Sequence, residues 1–206
     1  MLKVLGRASS INVQKVMWFS AELGLDVERA DIGGKYGGND TPEYLAKNPN
    51  GLVPILEDGD FVLWESQAIV RYLAEKYGKA PWYPADVEGR GLANQWMDWY
   101  LTRLHAPMTV IFLGLIRTAP EDRDLSAMDK AAKQAADLWA LIDGHLENSD
   151  FMTGAEPTMG DVPLGCAVNR WHTLDVERPN LPRLEAYYQR LQERPHFREH
   201  VMVTME

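Results

Sequence analysis

Two short polar clusters in this chain carry residue types able to do chemistry. The first is Arg7-Ala8-Ser9-Ser10-Ile11-Asn12, between the apolar run Leu2–Leu5 and a helical pattern. Ser9, Ser10 and Asn12 each offer a hydroxyl or amide donor there, and each is equally a good N-cap for the helix that follows. The second runs Asn48-Pro49-Asn50-Gly51-Leu52-Val53-Pro54 and continues to Trp64-Glu65-Ser66. Pro54 interrupts an apolar run that otherwise reads as a strand, and proline cannot donate to a ladder. The backbone at Val53 is therefore available to an extended peptide ligand. Glu65 supplies a negative charge for an ammonium group. Ser66 and the helix N-terminus it opens suit a carboxylate. A ligand with an α-amino acid head and a short peptide body fits that inventory. A β-hairpin followed by a capped helix, with no ligand, has the same local pattern.

The elements that must position these residues follow from periodicity. Leu2–Leu5 reads as a buried strand. Val13–Leu23 has apolar residues at 3 to 4 spacing and is closed by Gly24. Asp26–Asp31 reads as a second strand, and four glycines between Gly33 and Gly38 predict a flexible loop. Thr41 caps a short helix with Pro42 at its first position. Strands are expected at Val53–Leu56 and Phe61–Trp64 around the Asp58-Gly59 turn, then a helix over Ser66–Tyr77 stopped by Gly78. The order β-α-β-α-β-β-α, with a right-handed crossover joining the first two strands, gives a thioredoxin-like α/β domain over 1–78.

Residues 79–87, with Pro81 and Pro84, read as a linker. From 88 to 206 the pattern is all-α, a helical bundle. Helices are expected over Glu88–Arg117, which Pro107 should kink or break, over Ser126–Leu146 capped by Ser126, over Val162–Thr173 and over Leu181–Arg194. Thr158-Met159-Gly160-Asp161 reads as a capping box.

Composition narrows the function classes. The chain has 206 residues and a formal net charge of -9, which disfavours non-specific nucleic-acid binding. The single cysteine, Cys166, permits no intrachain disulfide and sits in an apolar helix, where it reads as packing. No metal-ligand cluster, phosphate loop or hydrolase triad is evident. The opening residues are too short an apolar run for a signal peptide, and the run Val110–Ile116 falls short of a membrane span. A cytoplasmic protein with no membrane partner is the expectation.

The Asn48–Ser66 segment resembles the glutathione site of glutathione transferases, and the α/β-then-all-α layout extends that resemblance over essentially the whole chain. The resemblance implies glutathione as co-substrate, no metal, and a cis peptide before Pro54. It implies binding through Val53, Pro54, Glu65 and Ser66, with the last two holding the γ-glutamyl end. Counting back from Gly24, Ser10 falls where theta-like members carry a serine facing the sulfur, and Asn12 where nu-like members carry a second polar group. A hydrogen bond to a charged group contributes roughly 1.5–3 kcal/mol, about one to two pKa units, which suffices to ionise most of a thiol at neutral pH. Ser9 adjoins Ser10, so which of Ser9, Ser10 and Asn12 is the main donor stays open.

Relatives often carry lysine where this chain has Leu52, and Lys35 in the glycine-rich loop, or Lys47, could replace that charge. The electrophile pocket is expected between the two halves, facing the stripe Trp96, Trp99, Tyr100 and Arg103, most of which reads as core. Trp99 and Arg103 are the second-substrate candidates. Arg7, Arg103 and His105 would favour anionic or polarised electrophiles, although His105 reads more simply as structural. The implied function is attack of the glutathione thiolate on a small hydrophobic electrophile, a detoxification reaction, in a symmetric homodimer. Two alternatives stand beside it: glutathione-dependent reduction of a disulfide or peroxide, and a non-catalytic ligand-binding or interaction protein on the same fold.

Overall fold

The computed structural model describes residues 1–206 as two compact units, Met1–Tyr83 with Pro195–Met205, and Pro84–Arg194 with Glu206. In the first unit the order is β1 Leu2–Leu5, α1 Ile11–Glu22, β2 Val27–Ala30, a 3₁₀ turn Gly34–Tyr36, α2 Pro42–Lys47, β3 Ile55–Asp58, β4 Phe61–Trp64 and α3 Ser66–Tyr77. The sheet order is β2-β1-β3-β4. β1 pairs parallel with β2 and antiparallel with β3, and β3 with β4 is an antiparallel hairpin. This is the expected thioredoxin-like arrangement. α1 and α3 pack against each other. Val4, Val16, Leu56, Ile69 and Leu73 are fully buried among these elements, each worth roughly 1.5–3 kcal/mol of burial.

Several local expectations need correction. α1 begins at Ile11 rather than Val13, and its buried face is Ile11, Val13, Gln14, Lys15, Val16, Trp18, Phe19 and Ser20. Met17 and Leu23, which periodicity placed on that face, are only half-buried. Within the glycine-rich segment, expected as a flexible loop, Gly34–Tyr36 form a single 3₁₀ turn, with positive φ at Gly33, Gly34, Gly37 and Gly38. β3 starts at Ile55, leaving Val53 and Pro54 outside the ladder. A helix the sequence did not signal, α9 Pro195–His200, belongs to this first unit. Its Phe197 is buried edge-on against Trp18 at 4.9 Å. The assignment of 88–206 to one helical half did not anticipate that.

The second unit is helical. It contains α4 Val87–Trp99, α5 His105–Phe112, α6 Leu125–His145, α7 Asp161–Thr173 and α8 Pro182–Gln192. Pro107 does not break the run. A π-turn, Tyr100–Leu104, precedes it, in which His105 N–H donates to the Tyr100 carbonyl. That wider turn accommodates a proline that cannot donate within an α-helix. By length and composition the continuous run Val87–Arg117 could cross a membrane. Its Trp96, Met97, Tyr100, Leu104, Met108 and Ile111 are instead buried as the core face of a folded helical unit. Asp124, not Ser126, caps α6, accepting from Ala127 N–H at 2.9 Å.

Half of the expected capping box forms at the start of α7: Asp161 bonds back to Thr158 N–H, while the Thr158 hydroxyl accepts from Gly160 N–H at 3.2 Å rather than from Asp161 N–H. Asp161 is fully buried and accepts from the backbone N–H of Met152 and Thr158 at 2.9 and 2.8 Å and from Tyr187 O–H at 3.2 Å. Burial outweighs those bonds and pushes its carboxyl up to about 6. Cys166, 1% exposed on α7, is a packing residue.

Candidate active site

The site grows from the turn after β1. Gly6 is buried where three segments converge. A Cβ there would lie 2.5 Å from Val13 Cγ2 and 3.2 Å from Val53 Cβ. The strand end, α1 and the Val53 loop therefore approach only because that side chain is missing. Arg29 donates to the Gly6 carbonyl at 2.9 Å and also pairs with Asp31. That pairing holds the Asp31 carboxyl below the usual carboxylate range. The Arg7 side chain lies under Gly33 and Gly34, so the glycine-rich turn bearing Lys35 sits beside the same strand end.

Ser10 occupies the N-cap position of α1 through its backbone, its carbonyl accepting from Gln14 N–H at 2.9 Å. Its side chain makes no capping hydrogen bond. Ser9 is buried at 7% exposure, whereas Ser10 and Asn12 are half-buried. Asn12 Oδ1 accepts from Lys15 Nζ at 2.9 Å and from Ser66 Oγ at 3.4 Å. The second bond ties the first turn of α1 to the first turn of α3.

Glu65 holds the N-cap position of α3 with φ 72° and ψ 108°, the only non-glycine residue of the chain with positive φ. The conformation turns its exposed carboxylate outward at a helix N-terminus while Ser66, 6% exposed, is drawn inward to Asn12. The peptide bond between Val53 and Pro54 is cis. The loop before it is braced from behind. The Leu52 carbonyl accepts from Tyr44 O–H at 2.7 Å and Asn48 Nδ2 at 2.8 Å, and Asn39 Nδ2 donates to the Gly51 carbonyl at 2.7 Å. Burial pushes the Tyr44 phenol up to about 12, so it stays a donor. The Leu52 side chain itself is 64% exposed.

The structure thus brings together Ser10, Asn12, Ser66 and Glu65 through the α1–α3 contact, and Val53 and Pro54 through Gly6. Lys35 is exposed, 5.4 Å from the Tyr36 ring centre, on the turn beside Arg7. Lys47 is committed to Glu57 at 2.5 Å. In the helical unit Trp99 is half-buried edge-on to Trp96 at 5.5 Å, and Arg103 is exposed on the π-turn. His105 Nδ1 lies 3.1 Å from the buried Tyr100 hydroxyl. Reasoning from the sequence missed the braces Asn39, Tyr44 and Asn48, and missed Lys15. The one signal for Lys15 was its spacing, four residues from both Ile11 and Phe19 on the buried face.

A family model described as "Glutathione S-transferase, N-terminal domain" matches residues 1–75, and one described as "Glutathione S-transferase, C-terminal domain" matches residues 125–190. The chain is 38% identical over 207 residues, covering all of both proteins, to Glutathione S-transferase GstB of Escherichia coli (strain K12). The chain belongs to the glutathione S-transferase family. As a glutathione transferase it is an enzyme, and the relatives extend beyond bacteria. Glutathione S-transferase D7 of Drosophila melanogaster is 34% identical over 166 residues, covering 78% of this chain and 72% of the relative. Among solved structures, the theta class glutathione S-transferase from Xanthomonas axonopodis pv. citri with glutathione bound is 41% identical. It has a TM-score of 0.96 over 100% of this chain and 99% of that one.

Proposed function

We propose that this transferase binds glutathione at the Ser10–Asn12, Val53–Pro54 and Glu65–Ser66 cluster and ionises its thiol for attack on a small hydrophobic electrophile. The carrying observation is that Ser10 occupies an N-cap position without its hydroxyl capping the helix. A hydroxyl at a helix N-terminus, not spent on that helix, is a donor for an anion placed there. The glutathione-bound theta-class relative supports the choice of ligand.

In this reading the Val53 backbone pairs with the peptide body. Glu65 holds the α-ammonium group, and the Ser66 N-terminus holds the α-carboxylate. Lys35 supplies the charge for the glycine carboxylate in place of the lysine absent at Leu52. Ser10, assisted by Asn12, donates to the sulfur and stabilises the thiolate, and the thiol proton passes to water. The thiolate forms a carbon–sulfur bond while the leaving group departs with its electron pair. Trp99 and Arg103 belong to the same proposal as second-substrate residues, and a cytoplasmic homodimer accompanies it on the family resemblance.

Calorimetric titration with glutathione, followed by turnover of an aryl halide and of a disulfide, tests it. Binding with aryl-halide turnover that drops at least tenfold in Ser10→Ala is expected. Turnover of the disulfide alone would make the protein a glutathione-dependent reductase, and binding without any turnover a ligand carrier.

A further inference from the structure

Lys15 is a lysine in the core. It is 1% exposed, among the largest fully buried side chains of the chain, on a helix face shared with Ile11, Val13, Gln14, Val16, Trp18, Phe19 and Ser20. A methionine or leucine would fill that space without the cost of taking an ammonium out of water. The ammonium donates a hydrogen bond of 2.9 Å to Asn12 Oδ1. An ammonium only donates, so the atom facing it must be the carbonyl oxygen of the amide and not the nitrogen. Ser66 Oγ lies 3.4 Å from the same oxygen. With Oδ1 held from two sides, the Asn12 NH₂ group occupies the opposite branch of the planar amide. Asn12 is half-buried, and its NH₂ has no acceptor within the protein.

We infer that Lys15 is a positioning residue for the thiol chemistry. It locks the Asn12 amide so that Nδ2 rather than Oδ1 is presented at the N-terminus of α1, where the proposed function places the glutathione sulfur. The inference rests on that reading. A flipped amide would present a carbonyl oxygen to a thiolate and repel it. A locked amide presents two N–H donors. Lys15 thereby acts on the sulfur through Asn12 without touching it, and Ser66 serves both the ligand's carboxylate and the same amide.

The test is the pKa of glutathione bound to the full-length protein, read from thiolate absorbance, in wild type, Lys15→Met, Asn12→Ala and the double variant. In wild type a lowered pKa is expected, and its absence would sink the proposed function rather than the role of Lys15. Given that lowering, Lys15→Met is expected to raise the bound pKa by about 0.5–1 unit, roughly three- to tenfold less thiolate below the pKa. The KM for glutathione should change far less than kcat. In the Asn12→Ala background, Lys15→Met should add nothing. Lys15→Gln, whose amide N–H can still donate to Oδ1, should restore most of the lowering.

An equal shift in both backgrounds would mean that the charge acts directly on the sulfur, and would overturn the positioning role; so would no shift at all. Should Lys15→Met fail to fold, the Asn12 side-chain amide of ¹⁵N-labelled wild type gives an independent readout. Its NH₂ resonances, assigned by their loss in Asn12→Ala, should move on glutathione binding, and move more above the bound thiol's pKa than below it. Unmoved resonances would refute the inference.

Discussion

Glu65 is the residue at which the fold and the proposed ligand make opposed demands, and replacing it with glycine and with alanine separates the two. Its φ of 72° and ψ of 108° lie where a side chain is disfavoured, and it alone among non-glycine residues has positive φ. Holding a residue with a Cβ in such a region costs about 1–3 kcal/mol. The side chain is exposed, so truncation removes little packing. Glu65→Ala keeps the Cβ and therefore the strain. Glu65→Gly removes it but adds about 0.5–1 kcal/mol of backbone entropy to the unfolded chain. The difference leaves the glycine variant more stable than the alanine variant by about 1 kcal/mol, within a range of roughly 0 to 2.5. Both variants lose the carboxylate proposed to hold the γ-glutamyl ammonium. A hydrogen bond to a charged group is worth about 1.5–3 kcal/mol, so glutathione affinity should fall roughly ten- to hundredfold in both. Urea unfolding of the two ligand-free variants reads the first quantity and calorimetry the second. A glycine variant less stable than the alanine variant would refute the strain argument. Unchanged affinity in both would remove Glu65 from the binding site.

Two further expectations concern the scaffold. Asp161→Ala leaves the Met152 and Thr158 N–H groups and the Tyr187 hydroxyl without their buried acceptor, at a cost of about 3–5 kcal/mol in urea unfolding at pH 7. Because the folded Asp161 carboxyl titrates near 6, above its unfolded value of 3.8, the native state holds the proton more tightly. Its contribution is therefore full below pH 3.8 and is lost as pH rises through 6. The stability gap between wild type and Asp161→Ala should be larger at pH 4.5 than at pH 7 by about 2 kcal/mol, and a constant gap would contradict the raised value. Gly6→Ala places a methyl 2.5 Å from Val13 Cγ2 and 3.2 Å from Val53 Cβ. It should lower stability by about 1–3 kcal/mol in thermal unfolding and weaken glutathione binding by displacing the Val53 loop.

The first unit was legible in the sequence wherever punctuation was local. β4 at Phe61–Trp64 and α3 at Ser66–Tyr77 fall on their expected residues because Asp58-Gly59 and Gly78 bound them. Thr41 with Pro42 marked the start of α2, and Thr41 Oγ1 accepts from Tyr44 N–H as a cap should. Where two good signals competed, neighbouring structure decided. Asp124 and Ser126 are both fine caps, and α6 uses the earlier one. Pro107 carried a strong helix-breaking signal that a π-turn upstream absorbs, and no single residue announces such a turn. The burial of Phe197 against Trp18 depends on packing across nearly the whole chain length, which periodicity does not encode. At the site, residue types were readable but atoms were not. Ser9, Ser10 and Asn12 looked interchangeable as caps until the burial of Ser9, the uncapped hydroxyl of Ser10 and the Lys15–Asn12–Ser66 bonds set them apart.

The central claim is that Ser10, with Asn12, stabilises the thiolate of bound glutathione. A pH titration of thiolate absorbance on wild type, Ser10→Ala and Asn12→Ala tests it most directly. The expected result is a bound thiol pKa about one to two units below the free value near 8.5, with most of that lowering lost in Ser10→Ala and part of it in Asn12→Ala. Tight binding with an unshifted thiol pKa in wild type would contradict the claim and leave a protein that holds glutathione without activating it.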